Sequence, residues 1–438
     1  MRAKPLFFCA VIVCLHAQPS PGDLLQRVTR KVGETINRLP KYVCTQTVDR
    51  WQFQPPAGPA GHVCGTPTDV EALMEVVLGV ERNKALLLTT SDRVRLDAAV
   101  SGGREMYSWV GESRFEDPSL FQLPGGATRS SFASLLMVVF RDDTASFSYK
   151  GEITEAGRRL ADFEFRVPVQ SSHYIYGARG SRITTGYYGD ILADTQTADL
   201  VRLTVHTDTL PAATGSCEAS TTLDYRRVRL NEAEFLLPNR VQLNIRDANG
   251  TELENSTVYA GCHGLADESA RRFEAGRQTK AAQVNESAEA AAPLPGGLPF
   301  TIVLSSGIDQ SAAAAGDKVG AKVTTAITGS TGQILVPKGA AVTARILQIR
   351  RFYLPEASLR LVLKLETVDI GGRRRPLAAV ADSPAAAFKY NAEWMLPGSY
   401  NPAALDIQDP QAAVFVFWDT GARFVAAGGF ESNWRTVQ

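Results

Sequence analysis

Most of the signatures that announce a chemistry are missing from this chain. Its five histidines never fall into an HExxH or related ligand pattern, so a zinc-hydrolase reading has nowhere to start. The 46 basic and 46 acidic residues cancel, which removes the global field that would draw nucleic acid or an anionic membrane. Beyond residue 20 no unbroken apolar run approaches the roughly 20 residues a helix needs to cross a bilayer. Phosphate-cradling glycine loops are absent, since Gly125-Gly126 and Gly371-Gly372 fit turns. Ser305-Ser306-Gly307 lacks the flanking glycine of a nucleophile elbow. No cofactor, no metal and no nucleic-acid partner are therefore expected, and an enzyme is not the first reading.

What is present is an ordinary globular composition, 44% hydrophobic and 21% charged, over 438 residues. That length suits two or three domains rather than one core. The first seventeen residues differ from the rest. Arg2 and Lys4 form a basic start, residues 6–15 an apolar run and residues 15–17 a small-residue cleavage site, so residues 1–17 read as an export signal and the mature chain begins near Gln18. Cys9 and Cys14 follow Phe8 and Val13, which are not the small residues a lipid-attachment cysteine wants. The expected location is outside the cytosol, periplasmic or extracellular.

Four cysteines remain, Cys44, Cys64, Cys217 and Cys262. An even number in an exported chain reads as a disulfide framework. Of the three pairings, sequence proximity favours Cys44 with Cys64 and Cys217 with Cys262, closures worth roughly 3 and 4 kcal/mol in the chain-entropy model. The competing reading is a metal site, because His62 and His263 stand beside Cys64 and Cys262. Neither pair has the CxxC spacing that lets neighbours share an ion.

Along the chain, Ser20-Pro21-Gly22-Asp23 reads as a capped helix start. Leu25, Val28, Val32 and Ile36 then recur at helical spacing as far as Leu39-Pro40. Residues 41–51, KYVCTQTVDRW, have the β-branched and aromatic content of a strand. Residues 94–100 and 105–109 flank a Gly-Gly turn and predict a hairpin. Phe132, Leu135, Leu136 and Val139 predict a short buried helix. Strands follow at residues 145–150, 159–169, 182–188, 200–206, 220–230, 234–237, 240–246 and 256–259, with one wet and one dry face. Residues 275–298 carry almost no bulky apolar side chain and end in a Pro/Gly cluster, so they predict a flexible linker. Beyond it, strands are expected at residues 299–304, 321–326, 341–350, 358–370 and 414–418, with a long loop over 384–409.

Two resemblances attach to these residues. The N-terminal amphipathic helix leading into LPKYVCTQTV at residues 39–48 and then into a strand meander resembles exported half-barrel proteins of the lipoprotein-localisation carrier family. It is also similar to exported bacterial proteins that share LPxYxCxQTV and a late leucine-proline pair, here Leu237-Pro238, and that bring no activity with them. GDKVG at residues 316–320 and VPKG at 336–339 resemble turns of the C-terminal β-barrel in TrbI-type conjugation and secretion proteins. That likeness implies a small barrel without catalytic residues. The expected architecture is mainly β: an α+β half-barrel domain over 18–274, the linker over 275–298, and a small β-barrel domain over 299–438.

Individual candidates have ordinary explanations. Asp142-Asp143 fit a solvated turn, Glu366 and Asp369 project to opposite faces of one strand, and Arg373-Arg374-Arg375 fit an exposed hairpin. Trp109, Phe147, Phe163, Phe165, Leu203 and Val205 either line a groove for an acyl chain or extended peptide, or form a plain core beneath the first helix. The expected function is a non-enzymatic binding or scaffolding protein of the cell envelope, with an apolar ligand or another envelope protein as partner. A lipid or lipoprotein carrier, a secretion-complex adaptor and a hydrolase assembled only in three dimensions are the alternatives.

Overall fold

The computed structural model describes residues 20–55, 64, 86–101, 104–112, 115, 132–178, 181–265, 293–382, 409–418, 425–426 and 428–437. The predicted export signal, residues 275–292 of the predicted linker and residues 384–408 of the predicted long loop lie outside them.

Helix α1 spans Pro21–Arg38. The Ser20 hydroxyl accepts the Asp23 backbone N–H at 3.2 Å and donates to the Asp23 carboxylate at 2.7 Å, closing the first turn. Its buried residues are Leu24, Val28 and Val32. Leu25 and Ile36 pack beside them only partly buried, so the apolar seam is rotated toward Leu24 from the one predicted.

Strands β1 (Tyr42–Gln54), β2 (Leu87–Ser101) and β3 (Arg104–Trp109) follow. Helix α2, Phe132–Met137, runs into a wider turn at Val138–Asp142. Then come β4 (Ser146–Glu155), β5 (Arg158–Val167), the small hairpin β6 (Ile175–Ala178) and β7 (Ser181–Thr184), β8 (Tyr187–Asp194), β9 (Leu200–Thr207), β10 (Ser216–Leu230), β11 (Ala233–Asp247) and β12 (Glu252–Gly264). Apart from the small hairpin, all pair antiparallel in the order β3-β2-β1-β12-β11-β10-β9-β8-β5-β4. The strands predicted at 234–237 and 240–246 are the single β11, because a register shift at Asp224/Tyr225 on β10 carries the pairing past Pro238. Both helices pack on one face of this sheet: Val28 and Val32 of α1 and Leu135 and Leu136 of α2 share a core with Phe163, Phe165, Leu203 and Val205.

That order also corrects the disulfides. The bonds are Cys44–Cys262 and Cys64–Cys217, not Cys44 with Cys64 and Cys217 with Cys262. The first strand of the unit lies against its last, with Val43 opposite His263 and Thr45 opposite Ala260, so Cys44 meets a residue 218 positions away. Closeness along the chain is a poor guide once strand pairing is this non-local.

The C-terminal part contributes β13 (Pro299–Leu304), β14 (Ile308–Asp309), β15 (Lys318–Thr325), β16 (Ile327–Thr328), β17 (Ile334–Val336), β18 (Ala341–Phe352), β19 (Ser358–Ile370), β20 (Arg373–Pro376), β21 (Ala379–Ala381), β22 (Ala413–Trp418), β23 (Val425–Ala426) and β24 (Glu431–Thr436). The pairing runs β21-β24-β13-β15-β18-β19, after which β19 gives its first half to β22 and its second to β20. Among the described residues no pairing closes this ring, so the expected barrel is an open, curled sheet. Its own core holds Phe300, Ile302, Val323, Ile346, Leu361, Leu363 and Trp434.

The two cores are in direct contact. Arg350, Arg351 and Phe352 of β18 pair with Asp92, Ser91 and Thr90 of β2, continuing one sheet into the other. The Arg95 N–H donates to the Ala315 carbonyl at 2.7 Å, and the Ala315 N–H to the Arg93 carbonyl at 2.8 Å. Gly316 is required here: its φ is +103°, and a Cβ would stand 2.1 Å from the Arg95 carbonyl oxygen. The Asp92 carboxylate accepts from Arg50 at 2.5 and 2.8 Å and from Arg350 at 2.8 and 2.9 Å, with all three side chains under a tenth exposed.

Candidate functional site on the concave face

The helix-covered face of the N-terminal sheet is the candidate site, and its side chains follow from strand alternation. Phe163 and Phe165 on β5 and Leu203 and Val205 on β9 point inward two residues apart and are at most 2% exposed. Phe147 on β4 reaches the same cluster, stacking on Phe140 at 6.0 Å and tilting on Phe165 at 5.8 Å. Trp109 does not join it; it packs instead near Val94, Leu96 and Val362 at the junction between the two cores. The structure thus gathers five of the six predicted groove residues and fills the space before them with α1 and α2.

Between the second half of α1 and the open ends of β9, β10 and β11 lies a pocket of about 200 Å³. Val32, Leu200, Phe235 and Leu236 form its apolar side, and Lys31, Arg38, Asp199 and Arg227 its rim. Asp199 ties the rim together, accepting from Arg227 at 2.7 and 2.8 Å and from Lys31 at 3.1 Å. Burial pushes its carboxyl upward, but the hydrogen bonds and charges of Arg227 and Lys31 outweigh burial and hold it below the ordinary range. Lys31 also donates to the Thr197 carbonyl, and Arg27 to the Gln196 carbonyl at 3.1 Å. Helix α1 is therefore latched to the β8–β9 turn by polar contacts along one rim, with apolar packing beneath.

A second feature sits deeper. Tyr42 of β1 and Tyr259 of β12 line, with Cys44, a void of only about 10 Å³, room for no more than a water, and Tyr225 of β10 lies in the same core. Burial pushes all three phenols well above their usual value; Glu105 adds to the effect at Tyr42 and Tyr259, and Tyr42 adds to it at Tyr225.

Residues dismissed from sequence acquire partners. Asp143 accepts the His173 backbone N–H at 3.0 and 3.1 Å, sits 2.5 Å from His173 Nδ1, and takes the Tyr187 hydroxyl at 2.8 Å. The partners lie 30 and 44 positions away, so no local pattern announces the contact. Among the described residues no hydroxyl or thiol bonds the His173 ring, and the carboxylate serves to pin the 171–174 loop to the end of α2. Glu366 pairs with Arg345, while Asp369 accepts the Gly372 N–H at 2.8 Å in its own turn. Among the described residues no group of three metal-ligating side chains converges, and no helix is long and apolar enough to cross a membrane.

No family model matches the chain. No curated protein matches it either. Solved structures do. One is a LolA superfamily protein from Nitrosomonas europaea, at 11% identity and a TM-score of 0.23, covering 56% of this chain and 95% of its own. Another is a protein domain named for outer membrane lipoprotein sorting from Vibrio parahaemolyticus, at 9% identity and a TM-score of 0.26, covering 57% and 97%. A third is a DUF1329 family protein from Desulfovibrio piger, at 8% identity and a TM-score of 0.26, covering 55% and 95%. None of these three is a TrbI-type protein.

Proposed function

We propose that this is a non-enzymatic binding protein of an oxidising compartment outside the cytosol, whose ligand is an acyl-type apolar chain received between α1 and the concave face of the sheet. The observation that carries the reading is the rim pocket: an apolar wall continuous with the core, closed by a helix whose outer contacts are polar and exchangeable with water. A chain entering there meets Val32, Leu200 and Phe235 and deepens its seat as α1 lifts. The two disulfides support the compartment and brace the strands on which the helix rests.

The test uses the full mature chain and the polarity-sensitive fatty acid 11-dansylaminoundecanoate. Uptake with blue-shifted emission is expected, together with acyl lipids released on denaturation and seen by mass spectrometry. Thr35→Trp, which fills the pocket mouth from a half-buried position on α1, should weaken uptake by about tenfold or more while leaving the melting temperature in place. A chain that takes up no probe and copurifies with no lipid would sink the reading. The second reading, a scaffold with a solid core, would then stand; it is favoured by the near-complete burial of Phe163, Phe165, Leu203 and Val205.

A further inference from the structure

The N-terminal sheet ends at β4. Among the described residues β5 is its only strand partner, lying along one side of it. Seven of its ten residues are exposed and none is buried. An uncovered edge strand offers a row of backbone N–H and C=O groups to any strand that approaches, and proteins blunt such edges with charge, proline or a bulge. On β4 the blunting is confined to the second half. Lys150 is the extra residue of a bulge, because Tyr149 stands opposite Phe163 and Gly151 already opposite Asp162, and Glu152 and Glu155 follow it. The first half, Ser146 to Tyr149, carries no charge and no proline.

The bulge also decides which side chains share a face. Phe147 and Tyr149 lie opposite Phe165 and Phe163 on the concave side, and Tyr149 tilts on Phe163 at 5.4 Å. Tyr149 is nevertheless 43% exposed, so the row of rings runs out to the edge and ends in an open aromatic surface. Ile153, past the bulge, lies opposite Leu160 on the other side of the sheet.

We propose that β4 pairs antiparallel with β4 of a second copy of this chain, about a two-fold axis through Ser148. Such an axis stands perpendicular to the sheet and keeps each side chain on its own face, so opposed residues must share a face. Centred on Ser148, the ladder sets Tyr149 opposite Phe147 of the second copy, twice by symmetry, and Lys150 opposite Ser146. No like charges meet, and aromatic pairs across strands stabilise a sheet. Centring on Phe147 instead leaves Tyr149 against Ala145. Centring on Gly151 sets Tyr149 against Ile153, which the bulge has turned to the opposite face, and centring on Glu152 sets two carboxylates together. A partner of another kind would need the same uncharged aromatic alternation that this edge already carries. The ladder is short, so the dimer forms in the micromolar range rather than as an obligate pair. The proposal stands apart from the acyl-chain reading, because β4 lines no part of the pocket under α1; a monomer that takes up the fatty-acid probe would sink one and leave the other.

The experiment is sedimentation equilibrium of the full mature chain between about 1 and 300 µM. A reversible monomer–dimer equilibrium is expected. Ser148→Lys sets two ammonium groups opposite each other on the axis and should weaken the dimer about fivefold. Mixing that variant with Ser148→Glu should restore it as a one-to-one heterodimer. Tyr149→Lys removes both aromatic pairs at once and should weaken it about tenfold or more. Ile153→Lys, beyond the ladder, should leave it unchanged. Ser148, Tyr149 and Ile153 are all exposed, so the melting temperature of the dilute monomer should hold in every variant. A chain that stays monomeric throughout, a dimer that Ser148→Lys and Tyr149→Lys leave as tight as the parent's, or a lysine–glutamate mixture no tighter than the lysine variant alone would each overturn the proposal.

Discussion

Tyr42, Tyr225 and Tyr259 show how far a single residue's chemistry is set by its place in the sheet. Each is a strand residue with an inward side chain, and burial makes the ionised phenolate the costly form. Tyr174 is held up to about 12 by burial, with Tyr176 adding to it. A phenol raised above its unfolded value near 10 contributes its stability in full below that pH and loses it as pH rises through the folded value. On the alkaline side the denaturation midpoint should therefore hold level up to about pH 10 and fall steadily from there through about pH 12. Absorbance at 295 nm should show these phenols ionising only with unfolding. Complete ionisation near pH 10 in a chain with native circular dichroism would contradict their burial.

Helix α1 is the element on which the binding reading turns, and its attachment has two parts of different character. Leu24, Val28 and Val32 are buried and contribute on the order of 1.5–3 kcal/mol each. The rim latch through Asp199, Lys31 and Arg227 is partly exposed, so it is worth roughly 1 kcal/mol after solvent screening. A carboxyl held below its ordinary value contributes stability above about pH 4 and loses it as pH falls through the folded value. Amide exchange in α1 should accordingly speed up below about pH 4 more than exchange in β10, and Asp199→Asn should produce the same effect at neutral pH. Equal protection of α1 in parent and variant at both pH values would remove the latch from the account.

At the scale of the whole molecule, the joint between the cores commits three charged side chains to a dry place. Asp92 stands between Arg50 and Arg350 on three adjacent strands, and the short pairing of β2 with β18 depends on that triad remaining complete. Removing the shared carboxylate leaves two buried guanidinium groups facing each other. Asp92→Ala should cost about 3–5 kcal/mol, and small-angle scattering should show a larger radius of gyration as the two cores come apart. A variant with parental stability and parental scattering would mean that the joint is held by the backbone contacts around Ala315 and Gly316 alone.

How much of this was legible depended on how local each signal is. The cap at Ser20, the helical spacing of Val28 and Val32, and the hairpin whose register runs from Leu96 opposite Trp109 to Ser101 opposite Arg104 all lie within a few residues of one another. The inward set Phe163, Phe165, Leu203 and Val205 was readable from alternation, since period-2 patterning assigns a strand's faces before its neighbours are known. The neighbours themselves were not readable. Cys44 found Cys262 rather than Cys64, Asp143 found His173 and Tyr187, and Glu112 found Lys318 and Arg345 across the joint.

The amino-acid order by itself settled the class of structure, because hydrophobic period, turn glycines and helix caps act over short stretches of chain. Which strand lies against which, and so which charges meet at Asp92 and at Glu112, was decided only by the folded sheet. Strand order follows from the burial of all the dry faces together, and that is a property of the whole chain rather than of any segment of it.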